Sequence, residues 1–267
     1  MNQPHHPLDE EHGRRFGGLD RLYGEGARLA LHRGRIAVIG VGGIGSWAVE
    51  ALARSGVGNI TLIDFDQVAV SNTNRQIHAL DSTFGMAKVH VLEQRIREIN
   101  SDCRVSVIED FLTEENMSQL LPAGAFDMVI DACDQAKIKA ALIAHARHNE
   151  IDLVVCGAAG GKSNPLKLRQ DDLGRTTQDA LLARVRDLLR REYRILPRKN
   201  RKFGVTSLYL DEPLKRNPAC TTSSLGCSGY GSVVTVTGAM GFAAAAICLD
   251  KLVTPPLEVS QPYSSVR

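Results

Sequence analysis

Short apolar runs alternate with longer stretches in which apolar residues recur every three or four positions, a pattern that holds through the first 160 residues. The runs at 35–39, 59–64, 105–108, 128–130 and 153–156 predict strands. The stretches at 47–54, 86–99, 114–121 and 135–149 predict helices, with Met86, Val89, Leu92, Ile96 and Ile99 on one face of the second. Strands alternating with such helices predict an α/β fold, a Rossmann-like, mainly parallel, doubly wound sheet with helices on both faces. After Gly161 the rhythm changes to a strand at 166–170, an amphipathic helix at 177–191, a strand at 203–209 and a Pro-, Ser-, Thr- and Gly-rich exposed loop at 211–230. A last helix at 232–251 follows, apolar from Val233 to Leu249 but interrupted by Gly and Thr, so it reads as buried or interfacial and argues against a membrane span. These elements form a smaller α+β carboxy-terminal part.

The organisation that follows has a mobile polar segment at 1–14, a nucleotide-binding domain at 15–161, and a basic insertion, crossover loop and final helix at 162–253 packed on the same domain. A flexible tail follows at 254–267. Within the second unit, 15–31 mixes Gly, Arg and Tyr and reads as a segment that lies over something without building the core.

The first strand runs into Gly40-Val41-Gly42-Gly43-Ile44-Gly45, and a helix starts directly afterwards. This is the strand–turn–helix setting that gives a glycine pattern meaning. Gly40 suits a tight turn, Gly42 a close approach to phosphate, and Gly45 close packing of helix on strand, while the helix start offers free N–H groups to an anion. Nineteen residues beyond Gly45, Asp64 ends the second strand, where a carboxylate grips ribose hydroxyls. Alone, the glycines fit a nicotinamide or flavin enzyme equally well. Arg75, Lys88 and Asp131 argue for a different ligand, because two cations and further acids then gather at the carboxyl edge of the sheet. That set suits ATP with magnesium: the cations neutralise phosphates and an acid holds the metal. Singly, Asp64 could be a turn former, Lys88 a solvated helix residue and Asp131 a helix cap; their order along the chain points to a site. Asn72 and Asn74 fit turn roles or contacts to phosphate or ribose, and Asp66 lies beside Asp64.

The chain carries a formal charge of +2, yet 184–202 holds nine Arg or Lys against Asp187 and Glu192, leaving the rest net acidic. Arg184, Arg190, Arg191, Arg194, Arg198, Lys199, Arg201 and Lys202 therefore point to a phosphate backbone, with Tyr193 placed to stack on a base. Six scattered cysteines without a CxxC pair argue against a structural zinc site and fit a reducing cytoplasmic compartment, as does the polar opening of the chain. Cys103, Cys133, Cys156 and Cys248 lie in apolar stretches and read as core. Cys220 and Cys227 lie in the loop, where Cys227 is a candidate acyl acceptor.

The ordered set Gly40–Ser46, Asp64-Phe65-Asp66, Ser71–Gln76, Lys88 and Asp131 resembles the ubiquitin-activating-enzyme-like superfamily of adenylating enzymes. Within it, RFGGLDRLYGE at 15–25 and TNRQIHAL at 73–80 resemble the tRNA threonylcarbamoyladenosine dehydratase branch. The resemblance covers about 14–250. It implies ATP-dependent cyclisation of N6-threonylcarbamoyladenosine in tRNA, through an acyl-adenylate that closes on itself and expels AMP. It further implies that Gly40, Gly42, Gly43 and Gly45 cradle the nucleotide, Asp64 binds ribose, Arg75 and Lys88 hold phosphates, and Asp131 holds magnesium. By the same resemblance an arginine of the amino-terminal segment reaches across a homodimer; Arg15 and Arg21 both fit, with Arg21 favoured. A cysteine near Ser228-Gly229-Tyr230-Gly231 echoes some relatives, and sulfur-acceptor or cysteine-desulfurase proteins are candidate partners. The alternative within the fold is an adenylyltransferase that activates the carboxyl terminus of a ubiquitin-like sulfur carrier. Outside it stand a nicotinamide oxidoreductase and a silent tRNA-binding protein.

Overall fold

In a computed structural model of the chain, which describes residues 10–215 and 230–254, one seven-stranded sheet organises the molecule. In chain order the strands are β1 (Arg35–Ile39), β2 (Asn59–Ile63), β3 (Arg104–Ile108), β4 (Met128–Asp131), β5 (Leu153–Cys156), β6 (Leu168–Asp172) and β7 (Thr206–Leu210). Their spatial order is β3-β2-β1-β4-β5-β7-β6, all parallel except β6, which runs antiparallel to β7 at the edge. The carboxy-terminal strands thus extend the same sheet. The helices are α1 (Glu10–Tyr23), α2 (Ala27–Arg33), α3 (Gly45–Arg54), α4 (Lys88–Ile99), α5 (Met117–Leu120), α6 (Ala136–His148), α7 (Ala180–Arg191) and α8 (Val234–Val253).

Alternate residues of β1 feed the two faces, as strand geometry requires. Ile36 and Val38 join the core beneath α3, α4 and α8; Ala37 and Ile39 join the one beneath α5 and α6. A third cluster packs α7 on α6 through Leu182, Val185, Leu188 and Leu189. The sheet order reverses between β1 and β4, which opens a crevice at the carboxyl edge. Ile39 is in register with both Ile63 and Asp131, so the glycine turn, Asp64 and Asp131 emerge level there.

Three local expectations need correction. Residues 10–14 are helical, as the start of α1, and α1 with α2 builds core: Phe16, Ala27 and Leu31 are buried, with Phe16 seated under Gly56. The helix expected from Met86 begins at Lys88, because Ala87 pairs with Gln67 as an isolated bridge and Lys88 N–H donates to Asp66 O; Met86 stays 44% exposed. Tyr193 is half-buried against two core clusters, and its hydroxyl is pushed up to about 12 by burial and by Glu114, so it offers no open platform for a base.

Among the described helices only α8 is long and apolar enough to cross a membrane, and half of it is buried in the protein. Its contact face, Val236, Met240, Ala244 and Cys248, lies at i, i+4 spacing. Gly241 permits the close crossing with α3: a β-carbon there would stand 2.5 Å from Ile44 O.

At the foot of β7, Glu212 accepts backbone N–H bonds from Ser163 and Asn164, both at 3.0 Å, and pairs with Lys215. The Asn164 bond leads the effects that hold its carboxyl at about 2, against burial acting upward. A carboxyl depressed in the folded state adds stability that is complete above its ordinary pKa of 4.5 and fades as pH falls towards 2. Glu212→Gln should therefore lower the melting temperature at pH 7 and reduce its fall between pH 4.5 and 2, measured by thermal melts across pH; parallel curves for the two proteins would remove Glu212 from this role. Gly45→Ala should cost about 3 kcal/mol or more, seen as a melting point lowered by roughly 6 °C or beyond, since its β-carbon would stand 1.9 Å from Gly40 O.

Candidate nucleotide site and basic face

The glycine turn is built by steric necessity. Gly40 has φ +77°, and a β-carbon on it would stand 2.9 Å from Cys133 N. No side chain caps the start of α3, where Ser46 N–H donates to Gly42 O at 3.1 Å, so backbone alone lines the turn. Asp64 fastens the turn: its Oδ2 accepts from Val41 N–H and its Oδ1 from Asp66 N–H, both at 2.8 Å. Burial raises its carboxyl above the ordinary range, opposed by the charge of Lys88 and these two donors.

The Lys88 side chain is buried and pairs with Asp66 at 2.6 Å, while Asp66 is largely exposed. The ammonium is thereby held at the mouth of the crevice, one strand over from the glycine turn. Arg75 lies over the turn itself, its Cδ 3.7 Å from the β-carbon position of Gly43, and its guanidinium donates to Ser71 O and Asn74 Oδ1. Asn72 is buried and its Oδ1 accepts from Ala69 N–H, which commits it to shaping the 70–76 turn; Asn74 donates to Ser232 O.

Asp131 is fully buried. Its Oδ1 accepts from Cys133 N–H at 3.2 Å and pairs at 2.9 Å with Lys139, whose Nζ also donates to Asp131 O. Burial pulls the Lys139 ammonium down, but Asp131 outweighs it and the group stays charged with a raised pKa. Asp131 Oδ2 has no hydrogen-bond partner. A buried carboxylate oxygen without a donor suits a magnesium ion whose remaining ligands are phosphate and water. Among the described residues no group of three or more His, Cys, Asp or Glu gathers as a metal cage, so any ion there would depend on the nucleotide for further ligands.

Sequence reasoning assigned no role to four neighbours. Lys139 was hidden in an amphipathic helix; only its place eight residues after Asp131 could have signalled it. Gln76 has a buried Oε1 without a partner, and its Nε2 lies 3.5 Å from the β-carbon position of Gly42. Phe65 and Phe111, each about half exposed, stack at 4.7 Å beside Asp64 and make an apolar wall at the ends of β2 and β3.

The other candidates lie apart. Phe16 anchors α1 at Gly56, beyond the far end of α3, about 15 Å from the turn. Arg15 is committed there, to Glu11 and to Ile99 O, whereas Arg21 is exposed on the last turn of α1 without an ion-pair partner among the described residues. Cys227 and Cys220 lie outside the described residues. Cys103 and Cys156 are pushed up to about 12 by burial, and Cys133 and Cys248 are raised as well, so all four are protonated thiols near neutral pH.

Asp179 caps α7 beside Gly157, at the carboxyl edge, and α7 runs from there toward the opposite edge. Arg184, Arg191, Arg194, Arg198, Lys199, Arg201 and Lys202 are exposed on it and on the following turn. Arg190 is exposed too, but lies 5.6 Å over the Phe203 ring and 3.3 Å from Asp187. Arg186 turns inward and donates to Leu173 O, so it is structural. One carboxylate shapes the basic turn: Asp172 accepts N–H bonds from Gly174, Phe203, Gly204 and Val205 at 2.6–3.2 Å. Most of this face therefore lies toward the far end of α7, a helix about 18 Å long that starts at the carboxyl edge.

The chain is similar to known proteins over most of its length. The chain is 44% identical over 250 residues to the tRNA threonylcarbamoyladenosine dehydratase of Escherichia coli, covering 89% of this chain and 93% of that protein. It is 42% identical over 248 residues to the Haemophilus influenzae protein of the same name, covering 91% and 95%. The solved structure of the E. coli tRNA N6-threonylcarbamoyladenosine dehydratase in complex with ATP superposes with a TM-score of 0.85 at 44% identity, over 92% of this chain and 96% of that one. A ThiF family model matches residues 17–265, and with the glycine turn, Asp64 and the two cations in place the chain belongs to the ThiF family.

Proposed function

We propose that this protein is an ATP-dependent tRNA threonylcarbamoyladenosine dehydratase. The observation that carries this reading is the likeness, at 42–44% identity across about nine-tenths of the chain, to dehydratases that include one solved with ATP. A molybdopterin-synthase adenylyltransferase is also similar, at 34% identity, but over only 49% of this chain, so the sulfur-carrier alternative is the weaker.

The carboxylate of the threonylcarbamoyl group is a poor electrophile and an anion. Its oxygen attacks the α-phosphorus of ATP, a P–O bond to pyrophosphate breaks, and a mixed anhydride with AMP forms. Attack from within the modified base then closes a ring and breaks the carbon–oxygen bond to AMP. The nucleoside has lost one water, its oxygen leaving on AMP. Two anions must meet in the first step, and Arg75 and Lys88 lower that repulsion while the bare start of α3 takes a phosphate. Asp64 binds the ribose, and the Phe65–Phe111 wall suits the adenine. Asp131 Oδ2 would hold magnesium, which when bound would draw charge from the phosphates. Ring closure is intramolecular, so the chemistry calls for no enzyme thiolate; Cys227 remains a candidate only.

Arg21 serves a second copy's site in this reading, supported by the placement of α1 at the far end of α3. The basic turn grips tRNA backbone well away from the reacting base, which suits a substrate many times longer than α7. Free thiols at Cys103, Cys133, Cys156 and Cys248 fit a reducing cytoplasm.

With ATP, magnesium and tRNA bearing the threonylcarbamoyl group, digestion and mass spectrometry should find the nucleoside lighter by one water; an unchanged mass would defeat the proposal. Lys88→Ala and Arg75→Ala should each weaken ATP binding at least tenfold by calorimetry, the usual scale for a lost charged contact, and equal affinity would remove them from the site. Charge reversal at Arg191, Arg198 and Lys199, and Asp172→Asn, which loosens the turn that carries the last two, should weaken tRNA binding and flatten its salt dependence while leaving ATP affinity intact. Loss of both affinities together would contradict the separation of the two faces.

A further inference from the structure

Arg75 is held from behind. Its carbonyl oxygen accepts two side-chain donors at once, Trp47 Nε1 from α3 and Thr237 Oγ1 from α8, each at 3.0 Å. The Thr237 hydroxyl lies farther, 3.4 Å, from the carbonyl of Val234 in its own helix. The methyl of the same threonine sits 3.1 Å from the β-carbon position of Gly43, so one side chain touches both the arginine's backbone and the glycine turn beneath it. Trp47 is oriented in turn by α8, edge-on to Phe242 with ring centroids 5.8 Å apart. One residue before Arg75, Asn74 donates to Ser232 O at 2.8 Å, just ahead of α8, and Gly231 O accepts from Gly161 N–H at the end of the β5 turn.

Arg75 stands on a turn outside any helix or strand, where its own N–H donates to Asn72 O at 3.0 Å but, among the described residues, no backbone N–H is bonded to its carbonyl. That carbonyl is fixed instead by the side chains from α3 and α8, and both helices belong to one rigid pair crossing at Gly241. We propose that Thr237 and Trp47 are positioning residues for Arg75, through which α8 sets the aim of the guanidinium over the glycine turn. The inference rests on Arg75 as a phosphate-binding residue. It also gives α8 a part in ATP use beyond filling the core.

The test is ATP affinity and steady-state kinetics of Thr237→Val, Thr237→Ser and Trp47→Phe, beside Arg75→Ala, in the full chain. Thr237→Val keeps shape and loses the donor; it should raise the Kd and KM for ATP about fivefold, the scale of one hydrogen bond, with kcat at saturating ATP and the melting temperature little changed. Thr237→Ser keeps the donor and should restore the wild-type values. Trp47→Phe should act in the same direction, and the double variant should exceed the product of the two, because the carbonyl then has no donor left. Wild-type ATP affinity in both single variants, with Arg75→Ala impaired, would overturn the inference while leaving Arg75 in the site. Wild-type affinity in Arg75→Ala would instead remove the reading on which it rests. A fall in melting temperature and kcat without a change in KM, or no rescue by serine, would make the contact structural only.

Discussion

A carbonyl oxygen stands where the β-carbon of residue 45 would be. The 1.9 Å gap between Gly40 O and that position leaves no room for any side chain, and it is what lets α3 start directly above the end of β1. From that contact follow the backbone-lined turn at the start of α3, the approach of Ala132 and Cys133 to Gly40, and the seating of Arg75 and Gln76 over Gly43 and Gly42. The crevice between β1 and β4 is open because the sheet reverses there, and a turn stripped to backbone suits it to an anion.

Charge is then arranged around the turn in compensated pairs. Lys88 answers Asp66, and Lys139 answers Asp131 in the fully buried interior. Neither pair creates a strong standing field at the crevice. In the proposed reaction a triphosphate would find these cations already fixed in place, so little reorganisation would be needed when charge moves. The basic face works on a different scale. Its residues are mostly exposed and screened, in the proposed function they meet a long polyanion, and Asp172 fixes the backbone at 203–205 that closes their turn.

Much of this was legible in the chain because it depends on local rules. The glycine spacing, the acid at the end of β2 and the cations in the next loop and helix are sequence-near features of one βαβ unit, and they converge because parallel strands end at one edge. What was hidden depends on contacts far apart in sequence. Nothing near Thr237 or Trp47 announces that both reach the carbonyl of Arg75, and Phe16 looks like one aromatic among glycines until Gly56 is beneath it. Asp131 reads as an open metal ligand, yet burial and Lys139 leave it only one free oxygen. Tyr193 was misplaced for the same reason: a pattern of charges does not reveal which side chain the core will claim.

The account centres on a carboxylate made reactive by AMP, and the fate of its oxygen reports on that directly. With tRNA whose threonylcarbamoyl carboxylate carries heavy oxygen, a single turnover with unlabelled ATP should release AMP bearing one heavy atom while the nucleoside loses one. Unlabelled AMP, or release of ADP and phosphate in place of AMP and pyrophosphate, would contradict it.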